Sequence, residues 1–222
     1  MTSRLASLPS PLYAILDPEP ARGRPILSVL QDLLNGGVRL IQLRVKKADP
    51  KEFYQWAVES RRWTRSKGCL FVVNDRVDIA LAADADGVHL GQEDLSLAAA
   101  RRLMGEKIIG VSTHDPEQAL EAERGGADYI GFGPIFGTST KDTGYAPRGL
   151  EMLKTVRRTV RIPIVAIGGI HESNVAWVWE AGADAAAMIG DLMGAEDVAE
   201  KARRILNHPS QASRSKTSSR PE

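Results

Sequence analysis

The chain reads as an α/β protein whose single domain closes into a (β/α)8 TIM barrel, and three observations predict this. Its 222 residues, 43% of them hydrophobic, suit one large core and one barrel domain. From Leu12 onward, short aliphatic runs alternate with segments of helical periodicity, the pattern of a parallel sheet with crossover helices. Eight such pairs occur, with strands beginning near Leu12, Val38, Cys69, Gly87, Lys107, Asp128, Pro163 and Asp184.

The first strand is followed by Ile26, Val29, Leu30, Leu33 and Leu34 at helical spacing, and Asn35-Gly36-Gly37 stops that helix. After the second strand, Pro50 starts a helix whose Phe53, Trp56, Ala57, Ser60 and Trp63 share one face. That aromatic stripe is read as core packing. Cys69, the only cysteine, opens the third strand and is read as a core residue without a nucleophilic role. Gly126-Ala127-Asp128 and Gly182-Ala183-Asp184 precede the sixth and eighth strands as repeated helix-to-strand turns, with no solenoid period. Val198, Ala202, Ile205 and Leu206 mark the apolar face of the last helix.

Three segments follow from this pattern: a flexible N-terminal stretch over 1–10, the barrel over 11–206, and a disordered tail over 207–222. The tail holds no large apolar residue, so burial cannot offset its ordering entropy.

Lys and Arg total 29 against 28 Asp and Glu, a formal charge of +1, so no overall field favours nucleic acid or an anionic membrane. No apolar run approaches the roughly 20 residues that span a bilayer, and the first ten residues lack a signal-peptide pattern. A cytoplasmic setting and small-molecule partners are expected, with a homo-oligomer left open.

Barrel enzymes build their sites from the loops after the strands, and unusual polar residues gather there. After the second strand come Gln42, Arg44 and Lys46, at alternate spacing that puts them on one side of an extended segment. Asn74 and Asp75 follow the third, Gln92, Glu93 and Asp94 the fourth, and Ser112 the fifth. A long loop from Gly133 to Lys141 follows the sixth, Gly168-Gly169 the seventh, and Ile189-Gly190 the eighth. Arg44, Lys46 and Lys141 supply three cations, and Asp75 and Asp94 two carboxylates. That set suits a diphosphate held with Mg²⁺. The glycines after the last two strands sit where such barrels bind phosphate through backbone N–H groups. His89, inside the fourth strand, is read as a satisfied packing residue.

The strings Gln42-Leu43-Arg44-Val45-Lys46, Val73-Asn74-Asp75, Gly87-Val88-His89-Leu90-Gly91-Gln92-Glu93-Asp94, Gly110-Val111-Ser112, Gly131-Phe132-Gly133-Pro134-Ile135-Phe136, Thr138-Ser139-Thr140-Lys141 and Ala166-Ile167-Gly168-Gly169-Ile170 resemble the bacterial thiamine phosphate synthases. In order and spacing they cover roughly 12–206. The resemblance implies that Gln42, Arg44, Lys46, Asn74, Ser112 and Lys141 bind a hydroxymethylpyrimidine diphosphate. Asp75 and Asp94 would hold Mg²⁺, and Thr138, Ser139, Thr140, Gly169, Ile189 and Gly190 would bind a thiazole phosphate. Catalysis would fall to Arg44, Lys46, Ser112 and Lys141, because loss of diphosphate to leave a pyrimidine carbocation needs charge neutralisation and placement, with no nucleophile.

Two positions depart from the family pattern. Gly137 stands where proline is usual, and Gly190-Asp191 stands where Ser-Ala is usual. A hydroxyl donor is lost there and a carboxylate arrives, which is expected to turn away and cap the short helix. Two alternatives remain open. A thiazole tautomerase would carry a histidine after the sixth strand, where this chain has Gly133-Pro134-Ile135. A non-catalytic phosphate-ligand sensor would have little use for both carboxylates and all three cations.

Overall fold

A computed structural model describes residues 4–5, 7–21, 23–138 and 145–210. Eight parallel strands form a closed barrel in sequential order: β1 (Leu12–Leu16), β2 (Leu40–Leu43), β3 (Leu70–Asn74), β4 (Gly87–Leu90), β5 (Ile108–Thr113), β6 (Tyr129–Phe132), β7 (Ile164–Ala166) and β8 (Ala185–Met188). Closure is made by β1 against β8, with Leu12 opposite Ala186 and Ala14 opposite Met188. Each observed strand begins within two residues of its expected start.

Between the strands run α1 (Ile26–Asn35), α2 (Pro50–Ser66), α3 (Val77–Ala82), α4 (Leu97–Met104), α5 (Pro116–Arg124), α6 (Gly149–Thr159) and α7 (Val175–Glu180), followed by the short α8 (Gly190–Met193) and by α9 (Val198–Leu206). Sequence signals explain several ends. Asp49, Ser96, Asp115 and Asp197 each accept a hydrogen bond from a first-turn N–H, and α2 and α5 start with proline. The stripe on α2 behaves as read: Phe53, Ala57 and Ser60 are buried, and Trp56 and Trp63 pack against the core. Cys69 is also buried, and burial pushes its thiol up to about 12, which suits a packing role.

The core has two layers. The larger lies between strands and helices and takes alternate strand residues such as Ile41, Phe71, Ile130 and Ala186. The smaller fills the barrel itself, with Tyr13, Ile15, Leu40, Val72, Tyr129, Val165, Ala185 and Ala187. Parallel register sets inward positions beside inward positions at several levels of the barrel: Ile15 pairs with Gln42, Gln42 with Val72, Asn74 with His89, and Ser112 with Gly131. Gly110 makes room in that interior, since a Cβ there would lie 2.1 Å from Cζ of Tyr129.

Leu5 and Leu8 pack against the inner layer, and Arg4 pairs with Glu106 at 2.6 Å. Beyond α9, the His208 ring lies 6.0 Å from that of Trp179. Residues 211–222 of the expected tail lie outside the described residues. Among those described, no helix is long and apolar enough to cross a membrane.

Candidate active site

Gln42, Arg44, Asn74, Ser112, Thr138, Gly169, Ile189 and Gly190 all line a cavity of about 190 Å³ at the C-terminal end of the barrel. Their convergence follows from strand parity: inward positions near the ends of β2, β3 and β5 aim their side chains into the same space. Of the remaining sequence candidates, Ser139, Thr140 and Lys141 lie outside the described residues.

Arg44 is anchored by an ion pair with Asp17, just beyond β1, and both side chains are largely buried. Lys46 pairs with Asp75 at 2.5 Å. The backbone of Asp75 turns into the left-handed region at φ 63°, while its N–H donates to the His89 carbonyl at 2.8 Å. Asp94 accepts a hydrogen bond from the Gly91 N–H at 2.6 Å. Burial pushes the Asp94 carboxyl above the ordinary carboxylate range, and the neighbouring Asp75 carboxyl pushes it the same way. The two expected metal ligands therefore meet. They are hard oxygen donors whose mutual repulsion a divalent cation would relieve.

On the opposite side of the mouth, Gly168 and Gly169 have φ of 99° and 63°. A Cβ on Gly169 would lie 2.4 Å from the Gly137 carbonyl oxygen and 2.8 Å from Cβ of Phe136. Glycine is needed there for backbone conformation and for close approach of the loop after β6.

Asp191 turns away from the cavity, but it does not cap α8. Its Oδ1 pairs with Lys201 at 2.7 Å and its Oδ2 accepts from the Glu172 N–H at 3.1 Å. No side chain caps α8, whose N-cap is Ile189. The expected cap fails because Asp191 lies inside the first turn, and an ammonium from α9 supplies a stronger partner. His171, on the cavity wall, lies 3.5 Å from the same carboxylate.

His89 is satisfied, as expected, with Nδ1 3.0 Å from Tyr129 Oη and Nε2 3.0 Å from Ser112 Oγ. It also lines the cavity, which the packing reading did not anticipate. Sequence reasoning missed Asp17, Tyr13, Tyr129 and the cavity-lining His114. Asp17 had a signal of its own, a carboxylate one residue after a strand. The tyrosines sit within apolar strands and carry none beyond their parity.

A family model described as thiamine monophosphate synthase matches residues 12–192. The chain belongs to the thiamine monophosphate synthase family. Its resemblance to the thiamine-phosphate synthase of Chloroflexus aurantiacus is 48% identity over 194 residues, covering 87% of this chain and 90% of that one. A second relative so named, from Syntrophomonas wolfei, is 47% identical over 195 residues, covering 87% and 93%. Among solved structures, the thiamine phosphate pyrophosphorylase of Pyrococcus furiosus superposes with a TM-score of 0.81 at 40% identity, over 88% of this chain and 93% of that one. As a member of the thiamine monophosphate synthase family, the chain is an enzyme of the transferase class.

Proposed function

We propose that this enzyme condenses 4-amino-2-methyl-5-hydroxymethylpyrimidine diphosphate with 4-methyl-5-(2-phosphoethyl)thiazole, or its carboxylate, to give thiamine phosphate and diphosphate. The observation that carries this reading is the meeting of Arg44, Asn74 and Ser112 on one cavity wall, with Lys46, Asp75 and Asp94 at the adjoining strand ends. Cations and paired carboxylates together suit a leaving diphosphate better than either a neutral ligand or a bare phosphate. Gly133-Pro134-Ile135 offers no histidine for tautomerase chemistry.

The reaction needs one bond broken and one made. The pyrimidine methylene–oxygen bond breaks with its electron pair leaving on the diphosphate, and the thiazole nitrogen lone pair then closes on the carbocation. Arg44 and Lys46 neutralise the departing charge, joined by Lys141 from the loop after β6. Gln42 and Asn74 orient the pyrimidine diphosphate, and Ser112 donates to it. Thr138, Ser139, Thr140 and the N–H groups near Gly169, Ile189 and Gly190 hold the thiazole phosphate, so that its nitrogen faces the methylene carbon. Asp75 and Asp94 would hold Mg²⁺, which when bound adds positive charge against the diphosphate oxygens. Two protein carboxylates are enough for a cation that also takes phosphate oxygens and waters. A cytoplasmic setting and a possible homo-oligomer belong to the same proposal.

Labelling the oxygen that bridges the pyrimidine methylene to phosphorus tests the reaction class. Carbon–oxygen cleavage delivers the label to released diphosphate. Label retained on the pyrimidine alcohol would mean phosphoryl transfer, and no turnover with both substrates would favour a sensor.

A further inference from the structure

Five polar side chains run in contact across the barrel interior. Gln42 Nε2 donates to Tyr13 Oη at 3.0 Å. Tyr13 Oη lies 2.9 Å from Tyr129 Oη, which lies 3.0 Å from His89 Nδ1, and His89 Nε2 lies 3.0 Å from Ser112 Oγ. Both tyrosines are 1% exposed, so water does not compete for their hydroxyls. The chain thus crosses from β2 through β1, β6 and β4 to β5, and both end residues face the cavity.

Counting protons along these contacts sets their direction. A carboxamide nitrogen only donates, so Tyr13 Oη accepts from Gln42 and its own proton goes to Tyr129. Tyr129 Oη accepts that proton's hydrogen bond, and its own proton goes to His89 Nδ1. Burial pushes both phenols up from their ordinary value, which keeps them neutral and able to donate. An imidazole nitrogen that accepts carries no proton, so in the neutral ring the proton sits on Nε2 and is donated to Ser112 Oγ. Ser112 then accepts from within the barrel, and its hydroxyl proton is left for the cavity.

We propose that Tyr13, Tyr129 and His89 are positioning residues that hold His89 as the Nε2–H tautomer and thereby present the Ser112 hydroxyl to the cavity as a donor. Such a donor selects a ligand group that only accepts hydrogen bonds. That this group is a diphosphate oxygen rests on the function proposed above; the direction of the chain does not. A chain running the other way would put the proton on Nδ1, draw the Ser112 proton inward and turn oxygen lone pairs toward an anion, which would oppose binding.

The test is ¹⁵N NMR of the histidine-labelled full chain without ligand near pH 8, well above the usual imidazole pKa of about 6.5. The chain has four histidines, and the His89 signals are assigned by their loss in His89→Gln. The expected result is a single tautomer, with Nε2 protonated and Nδ1 bare. Tyr129→Phe keeps the ring but removes the donor to Nδ1, so both tautomers should appear. The same variant should lose roughly tenfold in kcat/KM for the pyrimidine diphosphate, with KM for the thiazole phosphate unchanged. A protonated Nδ1 in the wild-type protein, or a single Nε2–H tautomer surviving Tyr129→Phe, would overturn the proposal. If the tautomers behave as stated but no thiamine phosphate forms, the reaction assignment fails and the direction of the chain stands.

Discussion

Arg44 at the end of β2 is held by Asp17 at the end of β1, with 11% of the arginine side chain and 2% of the aspartate side chain exposed. The guanidinium therefore reaches the cavity from a fixed base, oriented before any ligand arrives. Preorganised charge of this kind is worth more to a developing anion than a charge on a free side chain.

Asp17→Asn should show this. Removing one partner of a nearly buried pair typically costs about 3 kcal/mol, a fall of ~6–12 °C in Tm for a chain of this size. KM for the pyrimidine diphosphate should rise because Arg44 loses its fixed orientation. A variant with wild-type Tm and KM would show that Asp17 does nothing for Arg44.

Asp75→Ala and Asp94→Ala should each raise the Mg²⁺ concentration for half-maximal activity by roughly tenfold or more. Magnesium titration of initial rates measures this. Wild-type dependence in both variants would remove the two carboxylates from any metal role.

Asp191 gives a prediction in pH. Burial pushes its carboxyl up, but the Lys201 ammonium and the Glu172 N–H outweigh burial and hold it below the usual carboxylate range. A folded pKa below the unfolded value of 3.8 makes a stability contribution that is present above that pH and lost as pH falls through the folded pKa. Asp191→Asn should thus be about 1 kcal/mol less stable at pH 7, and the difference should close below about pH 4. Denaturant melts across that range check it. A gap that persists at low pH would assign the loss to packing.

Gly169→Ala should be strained at φ 63° and would push its Cβ into the Gly137 carbonyl. A cost of about 1–3 kcal/mol is expected. KM for the thiazole phosphate should rise more than KM for the pyrimidine diphosphate, because the displaced loop belongs to the part of the site proposed to hold the thiazole phosphate. An equal rise in both would place the effect in global stability.

Much of the barrel was legible in the sequence because strand and helix periods differ, and Gly or Pro marks most boundaries. The α1 stop at Gly36-Gly37 and the Pro50 start of α2 are local chemistry, readable without knowing what packs nearby. Arg44, Asn74 and Ser112 stood out as candidates because a polar residue at a strand end is conspicuous, and all three line the cavity. Asp17 needed knowledge of which strand lies beside β2, and the role of Tyr13 and Tyr129 depends on two rings meeting across the barrel, 116 residues apart in sequence. The cap expected from Asp191 failed for the same reason, since Lys201 comes from a different helix.

Mixing purified protein with both substrates and Mg²⁺ and following thiamine phosphate and diphosphate together decides the matter. The expected result is thiamine phosphate and diphosphate released together when both substrates and Mg²⁺ are present, with no thiamine phosphate formed when the thiazole phosphate or Mg²⁺ is withheld. No thiamine phosphate from both substrates with Mg²⁺ present, or no consumption of either substrate, would contradict the proposed reaction.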